Sequence, residues 1–304
     1  MFSDLLSSNT QWVLFSTMML GAAAGAAGVL SYWKKQSLMS DALSHAALPG
    51  VVTTFLLFQT KQLFLLITGA AITAMAGTFF IQLICRTTRI KEDTAMGMIL
   101  SVFYGFGIML LTIANRSSGN QSGLDRFILG QSASMTESDM WSMLCLAFLV
   151  AAVIFTGLKE WKLYLFDPDF GRGIGLPVKR MDIVYTAVLV TTIVIGIQAV
   201  GVVLIAALLI IPAASARYWT HSFKNMLVIS AVSGGLSGVL GTLISAAGSG
   251  WPTGPFIVVV AASFFVFSLC CGKESGLLVR YWKMKRQKKQ LEGIFPSSVT
   301  KEVR

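Results

Sequence analysis

Charge is what this sequence has least of. Only 12% of its 304 residues are Asp, Glu, Lys or Arg, about half the share found in a soluble globular chain. Hydrophobic residues make up 55%, and the mean hydropathy is +0.72. One aqueous core cannot hide so many long apolar runs, so the composition excludes a soluble protein and leaves an all-α polytopic membrane protein. Histidine is scarce, with two in the chain. The four cysteines, Cys85, Cys145, Cys270 and Cys271, form no C-x-x-C pair, and the adjacent two make a poor disulfide. They read as apolar fillers rather than as a disulfide or thiolate framework.

Missing motifs exclude more. No G-x-x-x-x-G-K-[ST] occurs; CGKES lacks the upstream glycine and has Glu274 where a hydroxyl residue belongs. The chain is therefore not expected to hydrolyse ATP, or to be an enzyme at all. No H-E-x-x-H motif and no nucleophile–base pair is visible, which argues against an intramembrane hydrolase. The start, MFSDLLSSNTQW, lacks a basic n-region and leads into a run long enough to span, so no cleaved signal peptide is expected.

What is present is apolar length. Windows of about 19 residues pick out segments near 12–33, 37–59, 62–85, 94–114, 139–158, 181–197, 199–216, 222–248 and 254–272. Met181 to Pro212 is nearly uninterrupted, and one helix of that length would reach about 48 Å across an apolar layer of about 30 Å. IGIQAVGV in its middle offers two glycines and Gln198, so a tight turn is expected there. GAAAG at Gly21 to Gly25 and the pair Gly234 and Gly238 read as helix-packing motifs.

Basic residues accumulate in cytoplasmic loops, which accounts for the net charge of +10 without a nucleic-acid partner. The tail beyond Lys273 is basic and is placed inside. If 181–212 makes two passes, every Lys and Arg but Lys61, Arg116 and Arg126 lies on the inner side. One pass there would invert every earlier loop. The reading is nine spans, N-terminus out and C-terminus in. Eight or ten follow if the segment near 199–212 re-enters without crossing, or if another segment breaks.

Inside the second span, MSDALSHAALPG places Asp41 and His45 four residues apart, on one helical face and about 5–6 Å apart at Cβ. Ser40 and Ser44 widen the polar stripe, and Pro49 and Gly50 loosen the helix one turn on. An ionisable group in a span costs at least about 2.5 kcal/mol on insertion scales and usually faces a pore or a partner. A carboxylate with an imidazole suits Mn(II), Fe(II) or Zn(II). The spacing alone equally allows an Asp–His hydrogen bond tying helices together, or a proton relay. His221, in RYWTHSFK, has no acidic residue near it in sequence and reads as a solvated loop residue or a headgroup contact.

Five stretches in order resemble a known family. SDALSHAALPGVV, RIKEDTAMGMILSVFYGFG, LFDPDFGRGIGLP, VGVVLIAALLIIPAASARYWTHSF and PTGPFIVVVAASFFVFS are similar to the permease subunits of bacterial manganese, zinc and iron ABC importers. These importers work with a cluster-type extracytoplasmic binding protein. The resemblance covers about residues 12–272, within a permease domain of 1–272. It implies a second permease subunit, identical or homologous, a cytoplasmic ATPase dimer, and delivery of the metal from outside. The family's intramembrane metal ligands correspond to Asp41 and His45, the cargo being a travelling divalent ion rather than a resident cofactor. His45 must be neutral to bind it, so uptake is expected to fall as His45 protonates. Manganese fits the oxygen-bearing pair best, with zinc or iron as alternatives.

The resemblance also implies a coupling loop at 159–180. There Phe166, Asp167, Asp169 and Phe170 form an amphipathic segment closed by Gly-Leu-Pro. It either docks in a groove of the ATPase or lies on lipid with Lys159 and Lys162 at the headgroups. RIKED offers a second contact. FILGQSASMTESDM, with Gln131 and Ser132, resembles a family segment and reads as a docking surface for the binding protein or a plain loop. The basic tail, 273–304, carries KMKRQKKQ and reads as an anchor to anionic lipid. The rival class is a proton-coupled secondary metal carrier, which would need no ATPase.

Overall fold

The computed structural model describes residues 8–59, 62–117, 137–248 and 251–294, and the region around Gln131 and Ser132 lies outside them. The described residues form twelve α-helices and no strand. In lipid the backbone must satisfy its own hydrogen bonds, and each apolar run does so by coiling. In chain order the helices are α1 Ser8–Trp33, α2 Met39–Phe58, α3 Leu63–Thr87, α4 Glu92–Ser117, α5 Glu137–Thr156 and α6 Leu158–Phe166. They continue as α7 Pro168–Gly173, α8 Val178–Val200, α9 Val202–Arg217, α10 Phe223–Ala247, α11 Thr253–Cys271 and α12 Leu277–Ile294.

Each of the nine expected apolar segments is a helix. Seven of them, α1, α2, α3, α4, α8, α10 and α11, are long and apolar enough to cross a membrane. Helix α5 qualifies only together with α6, from which it bends by 74°. Helix α9 has 16 residues, about 24 Å. The break between α8 and α9 falls at Gly201, not at Gln198, which lies inside α8. Gly201 takes φ 88° and ψ 167°, a conformation open almost only to glycine. The turn therefore sits where the backbone needs no Cβ, and a polar residue is not enough to make one.

Helices α1 and α10 form the tightest pair, and the two small-residue motifs meet in it. A Cβ on Gly21 would lie 2.3 Å from the Gly234 carbonyl oxygen, and one on Gly238 would lie 2.4 Å from that of Thr17. At that range polar groups cross between helices: Ser230 Oγ donates to the Gly25 carbonyl at 2.7 Å, and Thr17 and Thr242 hydroxyls meet at 3.0 Å. Helix α2 lies between α3 and α4 and also packs on α8 and α9. Helix α4 packs on α2 and α3 and leaves most of its length uncovered.

The loop expected at 159–180 is built of α6 and α7. Trp161 is buried and donates from Nε1 to the Val153 carbonyl at 3.0 Å, which fixes the bend after α5. Asp167 caps α7 by accepting from the Phe170 amide at 3.0 Å, Pro168 opens the helix, and Gly175, at φ 90°, follows its end. The four cysteines are unbonded thiols.

A candidate cation site on helix α2

Close packing of small residues positions the α2 pair. Gly50 meets the Gly69 backbone of α3, and Gly107 of α4 receives the Leu48 side chain. With both flanks fixed, the face carrying residues 41 and 45 turns toward α4. Asp41 Oδ1 and His45 Nε2 lie 3.4 Å apart. Their side chains are 38% and 17% exposed, so the carboxylate opens outward and the imidazole is mostly covered.

That distance is long for a hydrogen bond. It suits two donors sharing one ion. At about 2.1 Å from each, an ion would see them at an angle of about 108°, and closing the gap by about 0.4 Å would give a right angle. The pair therefore accommodates tetrahedral and octahedral ions alike. His45 Nδ1 is buried and has no hydrogen-bond partner, while Nε2 faces the Asp41 carboxylate. Pro49 lacks the N–H that would otherwise pair with the His45 carbonyl, although α2 runs on through it. Ser44 donates to the Ser40 carbonyl at 2.7 Å, and Ser40 donates to that of Ser37 at 3.4 Å, so the two flanking hydroxyls serve the backbone instead.

Both members sit on one helix, so their contact ties no two helices together. Helix α2 carries no other titratable side chain. Among the described residues no cluster of three or more His, Cys, Asp or Glu could hold a metal. The described residues thus offer the Asp41–His45 pair and no third side chain of these types beside it.

Sequence reasoning did not single out Tyr104. Its ring meets the edge of His45 at 4.8 Å between centroids and 76° between planes, and Tyr104 is itself exposed. Its only signal was a hydroxyl inside an apolar span.

A second polar cluster joins distant segments at the ends of α1, α6 and α8. Lys34 Nζ lies 2.7 Å from Asp182 Oδ1 and 4.2 Å from the centre of the Tyr185 ring. Tyr164 hydrogen-bonds both Lys34 and Asp182. Burial, and then the bond to Asp182, push the Tyr164 hydroxyl above its usual range, so it remains a donor. None of this was legible from spacing. His221 is exposed, as expected of a loop residue, but it has charged neighbours in space. Its Nε2 lies 3.6 Å from Glu274, and its Nδ1 contacts Arg217. The fold supplies the acidic neighbour that the local sequence lacks.

In the coupling segment Asp167, Asp169 and Phe170 are exposed, with Asp169 paired to Arg172 at 2.9 Å. Phe166 is half exposed, and its ring lies 4.4 Å from that of Trp33 at the end of α1.

A bundle of apolar helices, seven of them long enough to cross a membrane, defines a polytopic membrane protein. The sequence profile of the ABC 3 transport family matches residues 7–272, and the chain belongs to that family. It is 42% identical over 288 residues to the manganese transport system membrane protein MntC of Bacillus subtilis, covering 94% of this chain and 66% of that protein. It is 39% identical over 287 residues to the zinc transport system membrane protein TroC of Treponema pallidum, covering 94% and 95%. Its fold is similar to a chain of PsaBC from Streptococcus pneumoniae in complex with Fab. There the TM-score is 0.80 and the identity 29%, over 93% of this chain and 98% of that one.

Proposed function

We propose that this chain is the permease subunit of an ATP-driven importer of divalent transition-metal ions in a bacterial cytoplasmic membrane. Manganese is the first candidate, with zinc or iron as alternatives in the same importer class. The observation that carries the reading is the Asp41–His45 pair, with donors 3.4 Å apart, on a helix otherwise free of titratable groups. A divalent cation offsets the cost of keeping a carboxylate in an apolar span. The relatives' names support the class of cargo without choosing within it, since they include manganese, zinc and chelated iron systems.

Two ligands are too few to retain an ion, which suits passage and calls for a facing subunit. We place the ion's path at the interface with a second permease, identical or homologous, with Asp41 and His45 lining it. The chain crosses nine times, with α5 and α9 as the short spans, the N-terminus outside and the basic tail inside. A binding protein delivers the ion from outside. An ATPase dimer supplies the energy through α6 and α7, where Phe166, Asp167, Asp169 and Phe170 form the docking face. Two exposed aromatics and two carboxylates on a capped, bent segment support that role.

The decisive experiment returns this chain to a strain deleted for it and scores growth and ion uptake on limiting manganese, zinc or iron. Rescue by one metal, dependent on the companion ATPase, is the expected result. Metal uptake into vesicles driven by a pH gradient without any ATPase would favour a proton-coupled carrier and overturn the assignment.

A further inference from the structure

We propose that the cleft between α1, α5 and α10 binds an anionic glycerophospholipid. Lys159, Lys162 and Lys224 hold its phosphate, and an acyl chain lies in the groove beyond. The cleft has two neighbouring parts that share Phe155 as a wall. The deeper part is a cavity of about 350 Å³ lined wholly by apolar side chains, with Ala22, Ala26, Ala147 and Ala151 leaving the space and Val228 and Val232 at its exposed edge. The outer part is a crevice of about 770 Å³, lined by the three lysines, Glu160, His221 and the first turn of α10. Phe155 lines both parts, and one turn of α10 leads from Lys224 in the crevice to Leu227 and Val228 in the groove.

Each part selects a different half of one ligand. Helices α5 and α10 both pack on α1, and the short alanine side chains between them leave a hollow whose walls would forfeit dispersion contacts if it stayed unfilled. In a bilayer the filler at hand is an acyl chain. At the mouth, all three lysines are exposed, and none is ion-paired among the described residues. Glu160 offsets one of them. Long lysine stems let the ammonium groups reach headgroup level while their methylenes stay on apolar surface. The first turn of α10 adds amide N–H groups at the helix's positive end, and its N-cap, Ser222, makes no side-chain capping bond. A free phosphate would use the crevice and leave the groove unexplained, whereas a phospholipid uses both. Lys159 and Lys162 lie on α6 and Lys224 on α10, and Phe166 of the proposed docking face also lines the crevice, so lipid and ATPase would meet at the edge of this site. The inference rests on membrane placement of this bundle and is independent of the metal carried.

The test uses the full-length protein, purified in detergent and offered phosphatidylglycerol or phosphatidylcholine, with retained lipid counted by native mass spectrometry. Three lysines at the surface predict a preference for phosphatidylglycerol of at least about tenfold. K159Q/K162Q/K224Q should abolish the preference while the protein elutes as before. A151F, which fills the groove, should reduce retention of both lipids. Equal retention by the unchanged chain, an undiminished preference in the triple variant, or displacement by inorganic phosphate alone would each overturn the proposal. The three lysines are solvent-facing, so the triple variant remains a fair test even if A151F fails to fold.

Discussion

Lys34 and Asp182 lie 148 positions apart in the chain, and their charged atoms are 2.7 Å apart. With Tyr164 bonded to both, the contact fastens α6, the start of the coupling segment, to the ends of α1 and α8. One cluster therefore links α6 to two long helices.

Asp182→Ala should destabilise the protein by about 1–2 kcal/mol, because Lys34 keeps a partly buried charge without its partner. Both side chains retain some contact with water, which holds the loss below that of a fully buried pair. Thermal melting of the purified protein measures this. Asp182→Asn, which can still accept from Lys34, should melt nearer the parent.

Asp41→Ala and His45→Ala should each abolish metal uptake while the protein still reaches the membrane and assembles. Neither side chain hydrogen-bonds a neighbouring helix, so Asp41→Ala should change melting little, whereas His45→Ala also gives up the ring contact with Tyr104 and should lose about 1 kcal/mol. Radiometal or fluorescent-indicator uptake beside a pull-down of the ATPase separates transport from assembly. Normal uptake in Asp41→Ala would remove the ligand assignment.

Phe166 and Phe170 differ in a way that can be measured. Phe170 is exposed, whereas Phe166 packs on Trp33. Phe170→Ala should weaken retention of the ATPase at unchanged stability. Phe166→Ala should weaken retention and also lower stability by about 1 kcal/mol, the scale of an aromatic pair.

Gly201→Ala should cost about 1–3 kcal/mol, since alanine must adopt a backbone region suited to glycine. Gln198→Ala, inside α8, should be nearly neutral. Comparing the two melting curves decides which residue makes the turn.

Gly234→Val should prevent folding, because its Cβ would meet the Gly21 carbonyl at 2.2 Å. Ser230→Ala, at the same contact, removes only one interhelical bond, worth about 0.6 kcal/mol in a membrane. Yield and elution profile after extraction read both. If Gly234→Val gives well-folded protein, the α1–α10 contact is looser than described.

The sequence by itself determined the class of this protein, the position of its nine apolar helices and the facing of Asp41 and His45. These follow from local rules: runs of apolar residues coil in lipid, and residues four apart share a face. The pairing of GAAAG with Gly234 and Gly238, the Lys34–Asp182–Tyr164 cluster, the place of Tyr104 beside His45 and the acidic neighbour of His221 were decided only by tertiary structure. Each joins residues far apart in the chain, and helical periodicity carries no record of which faces will meet. The turn at Gly201 lies between the two. A break was legible from the length of the apolar run, but its position depended on which glycine had to adopt a left-handed backbone so that α9 could pack beside α1.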